Sequence, residues 1–333
     1  MKNDFQLPSL TLAMCCIVAP SLMGAAPHHR DFQFRYAVEF TDLQPGKQIR
    51  IWLPAAPTNN AQDVTVVSTK PQQLQRSTGT KYGNQFFYHV ATPTSDTMQV
   101  EVVYRIRRYE VRTFSASARR PPEDRQLASQ TLDRFLTANR NVPIQGKPLE
   151  LLPDLSTTTD VVERARMLYD RVDAHVKYDK SKPGYGNGDV LWVCDSRFGN
   201  CTDFHSLFIS MARSQAIPAR FEIGFPLPPK RGSGTIGGYH CWASFHTESK
   251  GWIPVDISEA DKDPSKKDYY FGSLTEDRVM FSVGRDIELA PPQAGPALNY
   301  FVYPYAEVGN KAVSKSQIKT AFEYVDLKDS GQH

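Results

Sequence analysis

The amino-acid sequence predicts an α+β protein in which a small β-sandwich precedes a mixed domain of helices and antiparallel strands. Two observations support this: apolar residues alternate with polar ones over residues 30–112, and helical and strand periodicities follow each other after residue 156. The 333 residues are enough for two domains, and 40% are hydrophobic, which provides a core. A net charge of +3 without a long basic run argues against nucleic acid as the main partner.

Residues 1–26 have the pattern of a secretory signal peptide. Lys2 precedes an uncharged stretch, Phe5–Ala26, whose longest apolar run is too short to span a membrane and which ends in small residues. A lipid anchor at Cys15 or Cys16 is disfavoured because neither follows the small residue that a lipoprotein signal requires. We therefore expect a secreted or periplasmic protein without a membrane span.

The predicted sandwich, residues 30–112, consists of half-buried antiparallel strands and is expected to be structural or to serve recognition. Its alternating or apolar segments are Phe32–Phe40, Ile49–Leu53, Phe86–Val90 and Met98–Ile106. Residues 113–155 are predicted to form a bridge with a helix near Leu127–Leu136.

The second domain is predicted to span residues 156–328. It begins with a helix from Val161 to Val176 that has one buried stripe. The glycine-rich loop Pro183–Asp189 lacks the strand, helix and Lys-Ser/Thr ending of a phosphate-binding loop. Strand patterns near the end of the chain are expected to complete or cap this domain; they are Val279–Val283, Asn299–Val308 and Ala321–Asp326.

A helix is predicted to begin at Cys201. Asn200 is a suitable N-cap and Asp203 a capping-box partner, and the apolar residues that follow lie on one face. At a helix N-terminus the dipole and free N–H groups favour an anion, which lowers a thiol pKa. Cys201 is therefore a candidate nucleophile, with a small core cysteine as the alternative.

A β-hairpin follows this helix. Residues 240–246 and 252–257 alternate around a polar turn, and a register centred on position 248 places His240 opposite Asp256. Cross-strand neighbours have Cβ atoms about 5 Å apart, within reach of a His–carboxylate hydrogen bond. A bulge at Gly251 would shift this register.

Four separated blocks resemble the transglutaminase-like superfamily. They are Gly199–His205, Ile217–Arg220, Tyr239–Ala243 and Gly251–Asp256. The resemblance covers roughly residues 155–275 and extends over the whole chain to exported bacterial members with an N-terminal β domain. It implies a papain-like fold, with Cys201 as nucleophile, His240 as base and Asp256 as the residue that orients it.

Neighbouring residues have alternative roles. Trp192 and Trp242 are candidates for the cleft or an oxyanion contact, although core packing explains both. Asp203 and His205 are candidates for supporting contacts, with capping and helix packing as the alternatives.

The sequence predicts that the protein needs neither a metal nor a cofactor. Cys194, Cys201, His205, His240 and Cys241 lack the spacing of a closed zinc site, and Asp261-Lys262-Asp263 is a weak calcium candidate. With Cys201 kept free, the other two mature cysteines are expected to be bridged to each other or to be two buried thiols.

These observations predict an exported thiol enzyme that cleaves or transfers acyl groups of amides or esters in peptide, protein or cell-envelope substrates. The alternative is a non-catalytic module that binds peptide or cell wall. The sequence leaves the acyl donor, the acceptor and the oligomeric state open.

Overall fold

The computed structural model describes residues 28–115 and 132–328. The predicted leader and the first half of the helix predicted near Leu127–Leu136 lie outside these ranges. The strands are β1 (His29–Phe40), β2 (Ile49–Pro54), β3 (Gln62–Lys70), β4 (Gln75–Thr78), β5 (Gln85–Ala91), β6 (Met98–Tyr109), β7 (Val111–Arg112), β8 (Lys177–Tyr178), β9 (Phe198–Gly199), β10 (Ala219–Pro226), β11 (Ser233–Thr235), β12 (His240–Thr247), β13 (Gly251–Val255), β14 (Ser273–Leu274), β15 (Arg278–Val283), β16 (Tyr305–Val308), β17 (Lys311–Ala312) and β18 (Ile318–Asp326). The α-helices are α1 (Val161–His175), α2 (Val190–Ser196), α3 (Cys201–Ser214) and α4 (Ile257–Lys262).

Two five-stranded antiparallel sheets contain the N-terminal strands. The first has the order β11-β18-β1-β6-β3 and the second β17-β16-β2-β5-β4. The alternation predicted for Phe32–Phe40 is confirmed, because every second residue of β1 is buried. Apolar residues of both sheets join one hydrophobic cluster.

Of the three strand patterns near the C-terminus, Val279–Val283 completes the sheet of the second domain as predicted, because β15 pairs with β10. The other two patterns were also predicted to complete or cap that domain, but they join the N-terminal sheets instead. β18 pairs with β1 over the register Phe32↔Asp326 to Phe40↔Ile318, and β16 pairs with β2. Sequence periodicity identifies a strand but not its partner, because pairing depends on contacts between distant parts of the chain. The domain boundaries themselves stay a prediction.

A third sheet, of order β13-β12-β10-β15, packs against α3. The helix was expected to bury one face, but it is buried along its whole length from Cys201 to Arg213. The reason is that α1, α2 and α4 contact it on the sides that the sheet leaves open. α3 is therefore the centre of a helical layer on this sheet, and its polar residues are buried with it.

No helix in the described part of the chain is long and apolar enough to cross a membrane. Mixed helices and antiparallel sheets make this an α+β fold, as the sequence predicts.

Candidate active site

Cys201 is the first residue of α3, and its local structure follows from the capping residues. The Asn200 side chain accepts a hydrogen bond from the Thr202 amide (2.8 Å), and the Asn200 amide donates to Asp203 Oδ2 (2.9 Å). The predicted capping box is thus confirmed. Amides at the start of a helix have no partner within the helix, so the Cys201 N–H is available to an anion. Cys201 as a whole is only 3% exposed.

His240 begins β12 and Asp256 follows the last residue of β13. His240 Nε2 lies 2.8 Å from Asp256 Oδ2. The predicted hairpin register, centred on position 248, is wrong. Thr247 pairs with Gly251 and Ala243 with Val255, so the hairpin is centred on position 249. Gly251, with φ 69°, takes the positive-φ position after a three-residue turn.

Asp256 reaches His240 diagonally because it has left the strand. It is the N-cap of α4, where its side chain accepts from the Glu259 amide. Its other carboxylate oxygen takes the bond from His240, and this split fixes the carboxylate in the plane needed for both contacts.

Arg278 was not identified from the sequence as a site residue. At the start of β15, its Nη1 donates to Asp256 Oδ2 (2.9 Å), and its guanidinium lies 5.0 Å from the Trp242 ring centroid. Burial alone would raise the pKa of Asp256, but the charge and hydrogen bond of His240 and the charge of Arg278 hold it well below its usual value. Only folding brings residues 256 and 278 together, and no local pattern marks Arg278.

Cys201 and His240 interact, with opposite effects on their pKa values. Burial opposes ionisation of Cys201, yet hydrogen bonds with Cys241 and His240 and the charge of His240 hold its pKa well below the usual value. Burial likewise opposes protonation of His240, but Asp256 and Cys201 raise its pKa to about 10. The pair therefore favours thiolate and imidazolium at neutral pH.

His205, one turn into α3, is placed differently. Its Nε2 accepts the Ile257 amide hydrogen at 3.0 Å and lies 3.7 Å from Asp256 Oδ1, so a carboxylate is near it. Burial lowers its pKa to about 4, which keeps the ring neutral and able to accept. His205 thus links α3 to the start of α4.

Asp203 ties the glycine-rich loop to α3. In addition to the Asn200 amide, it accepts the amides of Gly186 (2.7 Å) and Gly188 (3.0 Å). A Cβ at Gly188 would lie 2.3 Å from Ser206 Oγ, so this position requires glycine. The loop therefore packs on the helix start through Asp203.

The two tryptophans proposed for the cleft or an oxyanion contact both pack against aromatic rings. Trp192 packs edge-on against Phe198, with ring centroids 5.2 Å apart, and against Gly184. Trp242 is fully buried, lies 6.2 Å from His240 between ring centroids, and donates to Glu222. Trp242 thus supports the ring of His240 from within the core.

Tyr239 lies directly before His240, in one of the four blocks that resemble the superfamily, but it was not predicted to be a site residue. Its hydroxyl contacts Thr202 Oγ1 (2.8 Å) and Asn200 Nδ2 (3.2 Å), at the helix start. Burial and the nearby Cys201 raise its pKa, so it stays a neutral phenol. Tyr300 and Tyr303 pack on its ring.

All three cysteines in the described part of the chain are free and buried. Cys241 points to the α3 side of the sheet, with its Sγ 3.7 Å from Thr202 Oγ1. Burial raises its pKa well above the usual value and raises that of Cys194 to about 11. Of the two expected arrangements, the structure has two buried thiols.

One group of potential metal ligands occurs among the described residues. Ligand atoms of His240, Asp256 and Glu259 lie within 4.8 Å of one another. However, His240 and Arg278 both bond the same oxygen of Asp256, which places a guanidinium where a cation would sit. Asp261, in the weak calcium candidate, instead accepts from Lys177 Nζ and the Tyr178 amide.

Comparison with known proteins gives a family match and a related protein. Residues 150–257 match the family model of the Transglutaminase-like superfamily. A protein of uncharacterised function from Haemophilus influenzae is 30% identical over 244 residues, which span 62% of this chain and 65% of that protein.

Two solved structures also match. A proposed cysteine protease from Cytophaga hutchinsonii has a TM-score of 0.56 at 14% identity, over 92% of this chain and 93% of that chain. The periplasmic domain of TgpA from Pseudomonas aeruginosa has a TM-score of 0.38 at 15% identity, over 71% and 90%.

The fold is the papain-like α+β fold in which thiol enzymes of the transglutaminase and cysteine-protease kind occur. More particularly, the stretch that matches the Transglutaminase-like superfamily, residues 150–257, contains α1 to α3 and both strands of the hairpin.

Proposed function

We propose that this protein is a thiol acyl-transfer enzyme in which Cys201 is the nucleophile, His240 the acid and base, and Asp256 the residue that orients His240. The observation that carries the proposal is that His240 bonds Asp256 at 2.8 Å and that the same His240 lowers the pKa of the buried Cys201 thiol. Nucleophilic catalysis by a thiol requires a base in hydrogen-bond reach and a group that fixes that base.

The reaction follows from the protonation states. The Cys201 thiolate attacks the carbonyl carbon of an amide or ester, a C–S bond forms, and the carbonyl π electrons move to the oxygen. The Cys201 amide at the helix start is placed to stabilise this oxyanion, a contribution worth about 3–4 kcal/mol for one such donor. When the oxyanion collapses, the C–N or C–O bond breaks and the His240 imidazolium protonates the leaving group.

An acyl-enzyme remains, with His240 now neutral. Water or an amine attacks its carbonyl, His240 takes the proton of that nucleophile, and the thiolate leaves. Asp256 stays ionised throughout, since its low pKa leaves no proton to accept at neutral pH. We propose peptide or cell-envelope acyl groups as substrates and export by the leader.

The test is to trap the acyl-enzyme. The full chain is mixed with p-nitrophenyl acetate, nitrophenolate release is followed, and peptides are mapped by mass spectrometry. We expect a burst of one equivalent and an acetyl group on Cys201. Cys201→Ala should abolish both, whereas Cys194→Ser, the matched control, should retain both. If Cys201 is not acetylated in the folded protein, the proposed enzyme is contradicted and the alternative of a non-catalytic binding module is favoured.

A further inference from the structure

A cavity of about 380 Å³ lies on the face of the third sheet opposite α3. Its floor is formed by Arg220, Glu222 and Ser244, whose side chains share hydrogen bonds across β10 and β12. Residues 108–113 and 249–252 surround it, so it occupies the junction between the first sheet and the hairpin. This cavity is separate from the Cys201 side of the sheet.

The cavity has more positive than negative side chains. Its two carboxylates are already paired: Glu110 with Arg112 (2.9 Å) and Glu222 with Arg220 (2.6 Å). Among the described residues, no carboxylate forms an ion pair with the remaining two cations, Arg108 and Lys250. The lining therefore has an excess of uncompensated positive charge.

Arg108 is the less usual of these cations because it is 2% exposed. Its Nη1 donates to Gln62 Oε1 (3.2 Å), but its Nε has no hydrogen-bond partner in the described part of the chain. Burial and repulsion by Arg278 lower its pKa to about 9, against the opposite effect of the Glu222 carboxylate, which is itself bonded to Arg220. A buried charge that no carboxylate contacts directly is destabilising, and an anion in the cavity would relieve that cost.

The remaining lining is suited to an organic body. Leu274, Met280 and Pro254 provide apolar surface, and the indole of Trp252 has a second buried donor, Nε1, without a partner among the described residues. Convergent polar groups beside apolar surface in a cavity of this size are typical of small-molecule sites. Lys250 is exposed to solvent, so the buried guanidinium of Arg108 is the charge to be balanced, and a single negative charge such as a carboxylate is sufficient for this.

We propose that this cavity binds a small organic carboxylate, whose anionic group pairs with Arg108 and whose apolar part packs against Leu274, Met280 and Trp252.

The test measures binding by calorimetry to the full chain carrying Cys201→Ala, which removes the reactive thiol. The probes are acetate, benzoate and hippurate, with hippuramide as the uncharged match to hippurate and inorganic phosphate as the other anion. We expect at least one of the larger carboxylates to bind with a Kd of about 1 mM or tighter. Hippuramide and phosphate should bind at least tenfold more weakly.

Variants locate the site. Arg108→Gln should weaken carboxylate binding at least tenfold, and Arg105→Gln, an exposed arginine on the same strand, should leave it unchanged. Thr113→Trp fills the cavity without altering its charge and should also abolish binding. The proposal is overturned if no carboxylate binds, if hippuramide or phosphate binds as well as the carboxylates, or if binding persists in both cavity variants.

Discussion

Strand β1 and helix α3 are both central to their regions, but they bury their residues differently. From Phe32 to Phe40, β1 alternates between buried apolar residues and half-exposed ones. α3 is buried on every side and carries Thr202, Asp203 and His205 into the core. In β1 burial is a matter of packing, whereas in α3 each polar group depends on a partner from elsewhere in the chain.

This contrast shows that buried polar groups, which can destabilise the fold, are concentrated in α3 and not in β1. Polar groups that are buried are destabilising unless they are hydrogen-bonded. The polar residues of α3 meet this condition through the glycine-rich loop, the hairpin and the start of α4. The predictions below set the two regions against each other.

The largest effect on turnover is expected from substitution of His240, the proposed catalytic base. With an assayable ester or amide, His240→Ala should abolish turnover while folding is largely kept. Asp256→Asn should lower kcat by several orders of magnitude, because it upsets the tautomer without changing the shape. Measuring kcat and melting temperature for both variants and for His205→Ala tests the assignment. Turnover that survives in His240→Ala but is lost in His205→Ala would reverse the two roles.

Cys201 should also differ from the other cysteines in its reaction with iodoacetamide. Its pKa is lowered, so labelling should stay rapid well below the usual thiol pKa of about 8.5, whereas Cys194 and Cys241 should be slow.

The ion pair between the Cys201 thiolate and the His240 imidazolium also stabilises the folded protein in the pH range where both groups are charged. That stability falls when acid protonates the thiolate and again as the pH rises through about 10, where His240 loses its proton.

Peptide mapping after labelling at several pH values provides the measurement. Equal rates for the three cysteines in the folded protein would contradict an activated thiolate. A Cys194–Cys201 or Cys201–Cys241 disulfide in active protein would do the same.

Arg278 is expected to act through Asp256 as a positioning residue. Arg278→Gln removes the cation that bonds Asp256 Oδ2, and a charged hydrogen bond of about 1.5–3 kcal/mol corresponds to a loss of roughly 10–100-fold in kcat. The pKa of Asp256 should rise, which moves the acid limb of the pH–rate profile to higher pH. Arg278→Lys should restore part of the rate. An unchanged profile with only a lower melting temperature would leave Arg278 a structural role alone.

His205 should affect stability more than chemistry. His205→Gln should lower the free energy of unfolding by about 1–3 kcal/mol, because the Ile257 amide loses its acceptor. In the native state the pKa of His205 is about 4, below its ordinary 6.5, so stability should rise with pH between these values. Urea unfolding at several pH values should show this slope in the wild type and a weaker slope in the variant. An identical slope in both proteins would contradict the buried neutral ring.

The smallest effect on stability is expected from a substitution on the outer face of the first sheet. Val67 on β3 is 52% exposed, and Val67→Thr should change the free energy of unfolding by less than about 0.5 kcal/mol. A loss as large as that of His205→Gln would show that this face is covered by something, and the comparison between the two regions would then fail.

The sequence by itself determined the local parts of this protein. The capping box of α3, the alternation of β1 and the existence of the hairpin follow from residues close together in the chain, where side-chain period and capping chemistry act. The thiol at a helix start and the choice of His240 and Asp256 came from the same local signals, supported by the family blocks.

Only the tertiary structure decided how those parts meet. It placed β18 beside β1, moved the hairpin register, and brought Arg278 to Asp256 and Tyr239 to the start of α3. Contacts between residues far apart in the chain depend on packing and on the loop entropy of closing long segments, which leave no periodic trace in the sequence. For the same reason the surroundings of Arg108 and the cavity beside it became visible only once the two sheets were in place.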